Sequence, residues 1–203
     1  MKLTIFAATG GIGGQILEQA LAAGHDVTAV VRNPGSLPQN LNGTRVIRAD
    51  LAGPEPAALE TAVASADAVL SGLGPRPMTR AGVAEQGTRA IVRAMEATRV
   101  RRILVVSAAP ISTVPSPSRP NPPRHDPGEG FLMRTLLTPI AKTVMRERYA
   151  DLALMEDVLR ASGLDWTIFR PPRLTNGSLT GTYRTAFGQN LRGGGLISRR
   201  SEE

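Results

Sequence analysis

Three observations in the sequence predict an α/β fold built on a doubly wound parallel sheet. Short apolar runs without alternation, at residues 3–8, 27–31, 68–70 and 103–106, suit strands buried on both faces. Between them apolar residues return at helical spacing, so strands alternate with helices and right-handed crossovers follow. A glycine-rich string, Gly10-Gly11-Ile12-Gly13-Gly14, falls at the first junction from strand to helix. No internal repeat or linker divides the 203 residues, so one domain over 1–203 is expected.

Each element has its own local reason. The first strand leads into a helix on which Ile12, Ile16, Leu17, Ala20 and Leu21 form one apolar face, with Gly24 placed as its C-cap. After the second strand, Pro34, Gly35, Pro38 and Gly43 mark residues 33–44 as a loop. A third strand, 45–47, runs to Asp50. Pro54 is then expected at position N1 of a second helix whose stripe is Leu59, Ala62 and Val63. Strand four ends in Ser71-Gly72-Leu73-Gly74-Pro75. The third helix, 83–98, carries Ala84, Ile91, Val92 and Met95, and strand five closes at Ser107. Helical spacing resumes at Phe131, is broken by Pro139, and runs from Ile140 to Ser162 with Gly163 as the stop. Strand six, 166–169, is halted by Pro171-Pro172. Beyond Gly177 the chain is rich in Gly and Thr and reads as loops with short strands.

Residues 110–127 hold seven of the sixteen prolines and form an irregular loop. The loop follows the carboxyl end of strand five, the edge of such sheets where ligands bind. A lid over a substrate and a disordered insertion both fit its composition.

Composition closes off several chemistries. With no cysteine there are no disulfides, thiolate nucleophiles or zinc-thiolate sites, and His25 and His125 alone cannot build a multi-histidine metal centre. The net charge is +7, from 24 basic and 17 acidic residues, and the pI is about 11.1. Yet 22 of the 24 basic residues are arginines spread along the chain, and aromatics are 3% and not interleaved with them. That pattern fits a solvated basic face or phosphorylated ligands better than nucleic acid. No apolar run approaches the ~18 residues of a membrane span, and Thr9-Gly10-Gly11 interrupts the opening run too early for a signal peptide. The expectation is a cytoplasmic protein with a small-molecule substrate, a monomer or small homo-oligomer, with no membrane or nucleic-acid partner.

The glycine string carries the most information. At a helix N-terminus, unpaired N–H groups and the helix dipole attract anions. Glycines there let the backbone approach a pyrophosphate where a Cβ would collide. Thr9, Gly10, Gly11, Ile12 and Gly13 are therefore candidate cofactor-binding residues in a Rossmann-like unit, since the string lies where a first βαβ unit needs it. About 20 residues on, an acidic residue would read a free ribose 2′-hydroxyl. Here Arg32 stands instead, a rigid donor fork suited to a 2′-phosphate, which favours NADP over NAD; a plain surface arginine is the other reading. Asp50 suits the adenine amino group, with Leu51 packing on the ring, or else a helix N-cap. Gly72-Leu73-Gly74 resembles a backbone strip running beside the cofactor, with Arg76 placed to neutralise phosphate charge.

These residues together resemble the atypical short-chain dehydrogenase/reductase superfamily. Within it they are most similar to the NAD(P)H-binding branch of NmrA-like proteins and biliverdin-IXβ/flavin reductase. The carrying features are Ala8-Thr9-Gly10-x-x-Gly13, Gly24-His25-x-Val27, Val31-Arg32, Asp50-Leu51, Leu73-Gly74-x-Arg76, Ser162-Gly163-Leu164, Arg170-Pro171-Pro172 and Leu179-Thr180-Gly181-x-Tyr183. They cover nearly the whole chain in order, the proline loop and extreme C-terminus excepted. The resemblance implies a Rossmann-like sheet with small C-terminal elements on the substrate side, Pro171 bordering the nicotinamide, and a serine after strand five. Three departures stand out. Ala7 replaces the first glycine of the family's loop. The serine is offset by one position, leaving Ser107 as nearest hydroxyl. The family pattern continues into a further helix and strand past Leu196-Ile197-Ser198-Arg199, whereas this sequence ends at Glu203.

Typical short-chain enzymes place lysine four residues after a helical tyrosine, and the ammonium lowers the phenol pKa for proton donation. Here Tyr149 is followed by Ala153, and neither Lys2 nor Lys142 can take that place, so Tyr149 reads as a packing residue. His125 in the proline loop is the one free imidazole near the expected mouth, and His25 reads as structural. The expected activity is an NADPH-dependent reductase delivering hydride to a delocalised acceptor of flavin, quinone or tetrapyrrole type. In it Ser107, the one catalytic candidate, is a hydrogen-bond donor beside the nicotinamide. A non-catalytic NADP(H) sensor of the NmrA type is the alternative. A sugar-nucleotide epimerase or dehydratase ranks below both, because it needs the missing dyad.

Overall fold

The computed structural model describes residues 1–38, 41, 43–53, 55–74, 82–128, 130, 140, 143–178 and 181–201. Six strands, β1 (Lys2–Phe6), β2 (Asp26–Val31), β3 (Arg45–Arg48), β4 (Ala68–Ser71), β5 (Arg102–Val106) and β6 (Asp165–Phe169), form one sheet. It runs in the order β3-β2-β1-β4-β5-β6 with every neighbour pair parallel. The described residues include the helices α1 (Gly11–Ala22), α2 (Pro56–Val63), α3 (Val83–Thr98) and α4 (Arg146–Ala161). A separate parallel pair, β7 (Arg173–Thr175) with β8 (Leu196–Ser198), follows β6. The expected doubly wound α/β architecture is the observed one. Strand order reverses between β1 and β4, and at such a switch point the loops diverge and leave a crevice at the carboxyl ends.

The period of two in the strands sorts side chains onto two cores. Leu3 and Ile5 of β1 face Leu17 and Ala20 of α1, with Val27, Ala29 and Val31 of β2 alongside. Phe6, Val30, Val69, Ile103 and Val105 face the other way, against Leu59 and Val63 of α2, Ile91 and Met95 of α3, and Leu152, Met155 and Leu159 of α4. Thr4 points to that second layer too, and its hydroxyl donates to the Ala62 carbonyl at 2.7 Å, which keeps a buried polar atom paired. No helix among the described residues is long and apolar enough to cross a membrane.

Two boundaries differ from the sequence expectation. Helix α2 begins at Pro56, with Glu55 as N-cap, whereas Pro54 lies outside the described residues. Two prolines sit two apart, and either has the fixed φ that a first helical turn accepts. The long run expected from Ile140 is interrupted by a turn at Met145, so α4 starts at Arg146; residues 131–139 lie outside the described residues. The left-handed Gly24 (φ +75°) follows α1 as expected.

Helix α3 takes its N-terminal cap from another helix. Gly82 precedes it with no side chain to offer, and buried Asp151 of α4 accepts from the main-chain N–H groups of Ala84 (3.0 Å) and Glu85 (2.9 Å). A carboxylate there also meets the positive end of the helix dipole. Asp151→Ala is expected to lower unfolding free energy by about 1–2 kcal/mol in urea titrations, the usual worth of a lost cap, with Asp151→Asn between it and wild type.

Candidate functional site

The first turn of α1 is held against the sheet by main-chain contacts that no side chain could share. A Cβ on Gly13 would lie 2.2 Å from the Ala7 carbonyl oxygen, and one on Gly72 would lie 2.7 Å from the Gly13 nitrogen. The turn after β1, the first turn of α1 and the exit of β4 thus meet backbone to backbone at the switch point. Ala7 sits at φ +59°, a left-handed conformation that a residue with a side chain adopts at a cost. The Gly10 N–H closes that turn on the Ala7 carbonyl at 2.8 Å. Gly10 is the N-cap of α1, no side chain caps the helix, and its first turn holds no acidic residue. The leading N–H groups therefore face outward as anion donors.

The other sequence candidates fall along the carboxyl edge. Thr9 and Ile12 are half-buried in the loop itself. Arg32 follows β2, exposed and in no ion pair among the described residues. Asp50, after β3, accepts from the Ala52 N–H at 3.1 Å, so it closes an Asx turn; it does not cap α2, whose N-cap is Glu55. Leu51 and Leu73 converge on α3: a Cβ on Gly87 would meet Leu73 Cδ2 at 2.4 Å and Leu51 Cδ1 at 3.4 Å. The Ser71 hydroxyl accepts from the Leu73 N–H at 3.3 Å, and Gly74 borders open space. Arg76 lies outside the described residues. Past β5 and β6, Ser107 N–H donates to the Phe169 carbonyl (2.7 Å) and Ala109 N–H to the Pro171 carbonyl (2.9 Å), so the two strand exits stay zipped together.

The Ser107 hydroxyl is engaged. It donates to Glu156 Oε1 of α4 at 2.8 Å, so the donor role expected of it is spent on a protein carboxylate, and toward any ligand it offers a lone pair. Glu156 is fully buried yet highly connected. It also accepts from Arg170 Nε (2.8 Å) and Nη2 (2.5 Å) and from Arg160 Nη2 (2.7 Å). Burial pushes its carboxyl upward, but the Arg170 fork, Ser107 and Arg160 outweigh that and hold it below its usual value. Sequence reading missed this residue. Its signal was a charge inside the apolar stripe Leu152-Met155-Leu159, with Arg160 one turn on and Arg170 in the quoted Arg-Pro-Pro motif.

The neighbouring Asp157 fastens the proline segment. It accepts from the Ser116 hydroxyl (3.0 Å), the Ser118 N–H (3.0 Å) and the Ser118 hydroxyl. Arg119 donates to the Ile111 (2.5 Å) and Val114 (3.3 Å) carbonyls. Further on, buried Asp126 accepts from the N–H groups of Gly128 (2.9 Å) and Asn190 (2.7 Å). The described part of this segment is thus tied to α4 at one end and to the chain near residue 190 at the other; it is not an unstructured insertion. A cleft of about 270 Å³ opens between this segment and the start of α4, lined by Thr113, Val114, Pro115, Arg146, Tyr149 and Ala150. Tyr149 packs into the core as expected; burial raises its phenol pKa, and Ala153 one turn on is itself buried. His125 is exposed and His25 half-buried.

A family model described as NAD(P)H-binding matches residues 7–201. The chain belongs to this NAD(P)H-binding family. The NAD(P)H-binding character read from its motifs is therefore that of its family. Similar solved structures include a short-chain dehydrogenase/reductase from Veillonella parvula DSM 2008 (TM-score 0.77, 20% identity, covering 98% of this chain and 82% of that one). A Veillonella parvula DSM 2008 short-chain dehydrogenase/reductase in complex with NADP gives TM-score 0.72 at 21% identity, over 98% and 82% of the two chains. The anaerobillin reductase ChuY from Escherichia coli O157:H7 gives 0.73 at 22% identity, over 98% and 85%. At these identities the likeness is one of fold. The residues present fit the nucleotide, because the uncapped, acid-free first turn of α1 supplies anion donors at the switch point.

Glu156 and Asp157 make stability depend on acidity. Both carboxyls titrate below their ordinary values in the folded chain. Their contributions are therefore complete above the unfolded values, 4.5 for Glu156 and 3.8 for Asp157, and are lost as pH falls through the lower folded values. Urea titrations at a series of pH values should show wild-type stability declining on the acid side. Glu156→Gln should be less stable at neutral pH, with a shallower acid slope.

Proposed function

We propose that this chain is an NADPH-dependent reductase that delivers hydride to a delocalised acceptor of the flavin, quinone or tetrapyrrole type. The observation that carries the reading is the state of α4. Where short-chain enzymes place their proton-donating tyrosine and lysine one turn apart, this helix has Tyr149 with its phenol pKa raised and a buried Ala153. Reducing a carbonyl to an alcohol requires a positioned acid. An acceptor that spreads the added charge over a conjugated ring takes its proton from water. When bound, NADPH supplies the hydride. The chain's own contribution is placement and electrostatics. In this reading the α1 donors of Gly11, Ile12 and Gly13 hold the pyrophosphate, and Arg32, free of carboxylate partners among the described residues, grips the 2′-phosphate. Leu51, Leu73 and Gly74 border the adenosine side, with the second Asp50 oxygen toward the adenine amino group. Ser107 accepts from the carboxamide while Glu156 holds its proton, and Pro171 borders the ring. The cleft beside Arg146 and Tyr149 is the acceptor's place.

The same missing dyad also favours a second reading, an NADP(H) sensor of the NmrA type that binds and turns nothing over. Loss of NADPH absorbance with flavin, quinone and tetrapyrrole panels separates the two: turnover on any panel member establishes the reductase, and tight binding without turnover establishes the sensor. For the cofactor choice, Arg32→Ala is expected to weaken NADPH by about 1–3 kcal/mol in calorimetry and to leave NADH nearly unchanged; equal losses would mean that Arg32 does not read the 2′-phosphate.

A further inference from the structure

The C-terminal elements return to the opening loop. Strand β8 pairs in parallel with β7 in the register Arg173↔Leu196, Leu174↔Ile197, Thr175↔Ser198, and a 3-10 turn, Arg199–Ser201, follows. That turn is anchored. The Ser198 hydroxyl donates to the Gly177 carbonyl at 2.7 Å, Gln19 Nε2 of α1 donates to the Arg200 carbonyl at 3.2 Å, and Ser201 is buried. The anchoring aims one side chain. A Cβ on Gly11, the first residue of α1, would stand 3.4 Å from Arg199 Nε and 3.6 Å from its Cδ, while Arg199 Nη1 donates to the Asn176 side-chain oxygen. The guanidinium therefore stands beside the first residue of α1, donating to a neutral amide.

This is an unfavourable arrangement unless something negative joins it. The N-terminus of a helix carries about half a positive charge, and a guanidinium adds a full one. No acidic residue stands in the first turn of α1, no side chain caps it, and no ion pair among the described residues includes Arg199. The fold has brought two positive groups side by side at the start of α1. Taking the dinucleotide reading above as its basis, we infer that Arg199 is a pyrophosphate-binding residue, a cation brought by the C-terminal turn to close over the phosphates that α1 holds from beneath. Gly11 contributes its main-chain N–H, and Arg199 Nε packs against it. Binding then joins two parts of the chain, since the phosphates link the C-terminal turn to the sheet.

Calorimetry with NADP⁺, NAD⁺, ADP-ribose and 2′-AMP tests this on wild type, Arg199→Ala, Arg199→Lys and Arg32→Ala. Because the pyrophosphate is common to both dinucleotides, Arg199→Ala is expected to weaken NADP⁺, NAD⁺ and ADP-ribose alike by about tenfold or more and to spare 2′-AMP; Arg199→Lys keeps part of the affinity, and Arg32→Ala weakens only NADP⁺ and 2′-AMP. Amide exchange gives a readout independent of affinity: residues 196–201 gain protection when NADP⁺ binds wild type and gain none in Arg199→Ala at saturating nucleotide. Should Arg199→Ala melt early without ligand, Arg199→Lys against Arg199→Gln makes the same comparison. Unchanged affinities in the Arg199 variants, beside a wild type that binds, would overturn the inference alone. A wild type that binds neither dinucleotide nor ADP-ribose would overturn the cofactor reading and this inference with it.

Discussion

The approach of three stretches of bare backbone at the switch point governs the rest of the molecule. Ala7, Gly13 and Gly72 come together so closely that a methyl group on either glycine would overlap a main-chain atom. Only through that contact does α1 start directly above the gap between β1 and β4, with its first N–H groups turned toward the carboxyl edge. A closely packed interior cannot absorb an added carbon there without shifting helix against sheet. The strained conformation of Ala7 belongs to the same constraint: the turn has to be left-handed for Gly13 to fit beneath its carbonyl, and the surrounding packing imposes it on a residue with a side chain.

Helix α4 anchors several parts of the molecule at once. Three of its acidic residues each tie down a different part of the molecule. Asp151 caps α3, Glu156 joins the exits of β5 and β6 through Ser107 and Arg170, and Asp157 holds the proline segment. Buried ion pairs of this kind add little net stability, because desolvation offsets most of the attraction, yet removing one partner leaves a costly orphan charge. Their effect is on geometry. They fix the exits of β5 and β6 and the proline segment relative to the sheet while Tyr149 is committed to packing.

The strands were legible because burial on both faces demands unbroken aliphatic runs, as in Val27–Val31 read against the observed Asp26–Val31. The glycine-rich turn before α1 was legible because glycine spacing and its position after the first strand coincide. Helix starts were harder. Apolar periodicity passes smoothly through Met145, where the chain turns, and two nearby prolines compete to open α2. The Glu156 hub left only a faint trace, since its partners Ser107 and Arg170 lie 49 and 14 residues away in the chain.

By itself the sequence determined the α/β class, the strand and helix order, the glycine-rich turn after the first strand, and that alanine, not lysine, stands four residues after Tyr149, because each depends on neighbours a few residues apart. Only the tertiary structure decided that the Ser107 hydroxyl donates a hydrogen bond to Glu156, that the proline segment is fastened to α4, and that Arg199 reaches Gly11. Those facts depend on where distant parts of the chain pack, and hydrogen-bond chemistry at such range leaves no periodic mark in the residues that carry it.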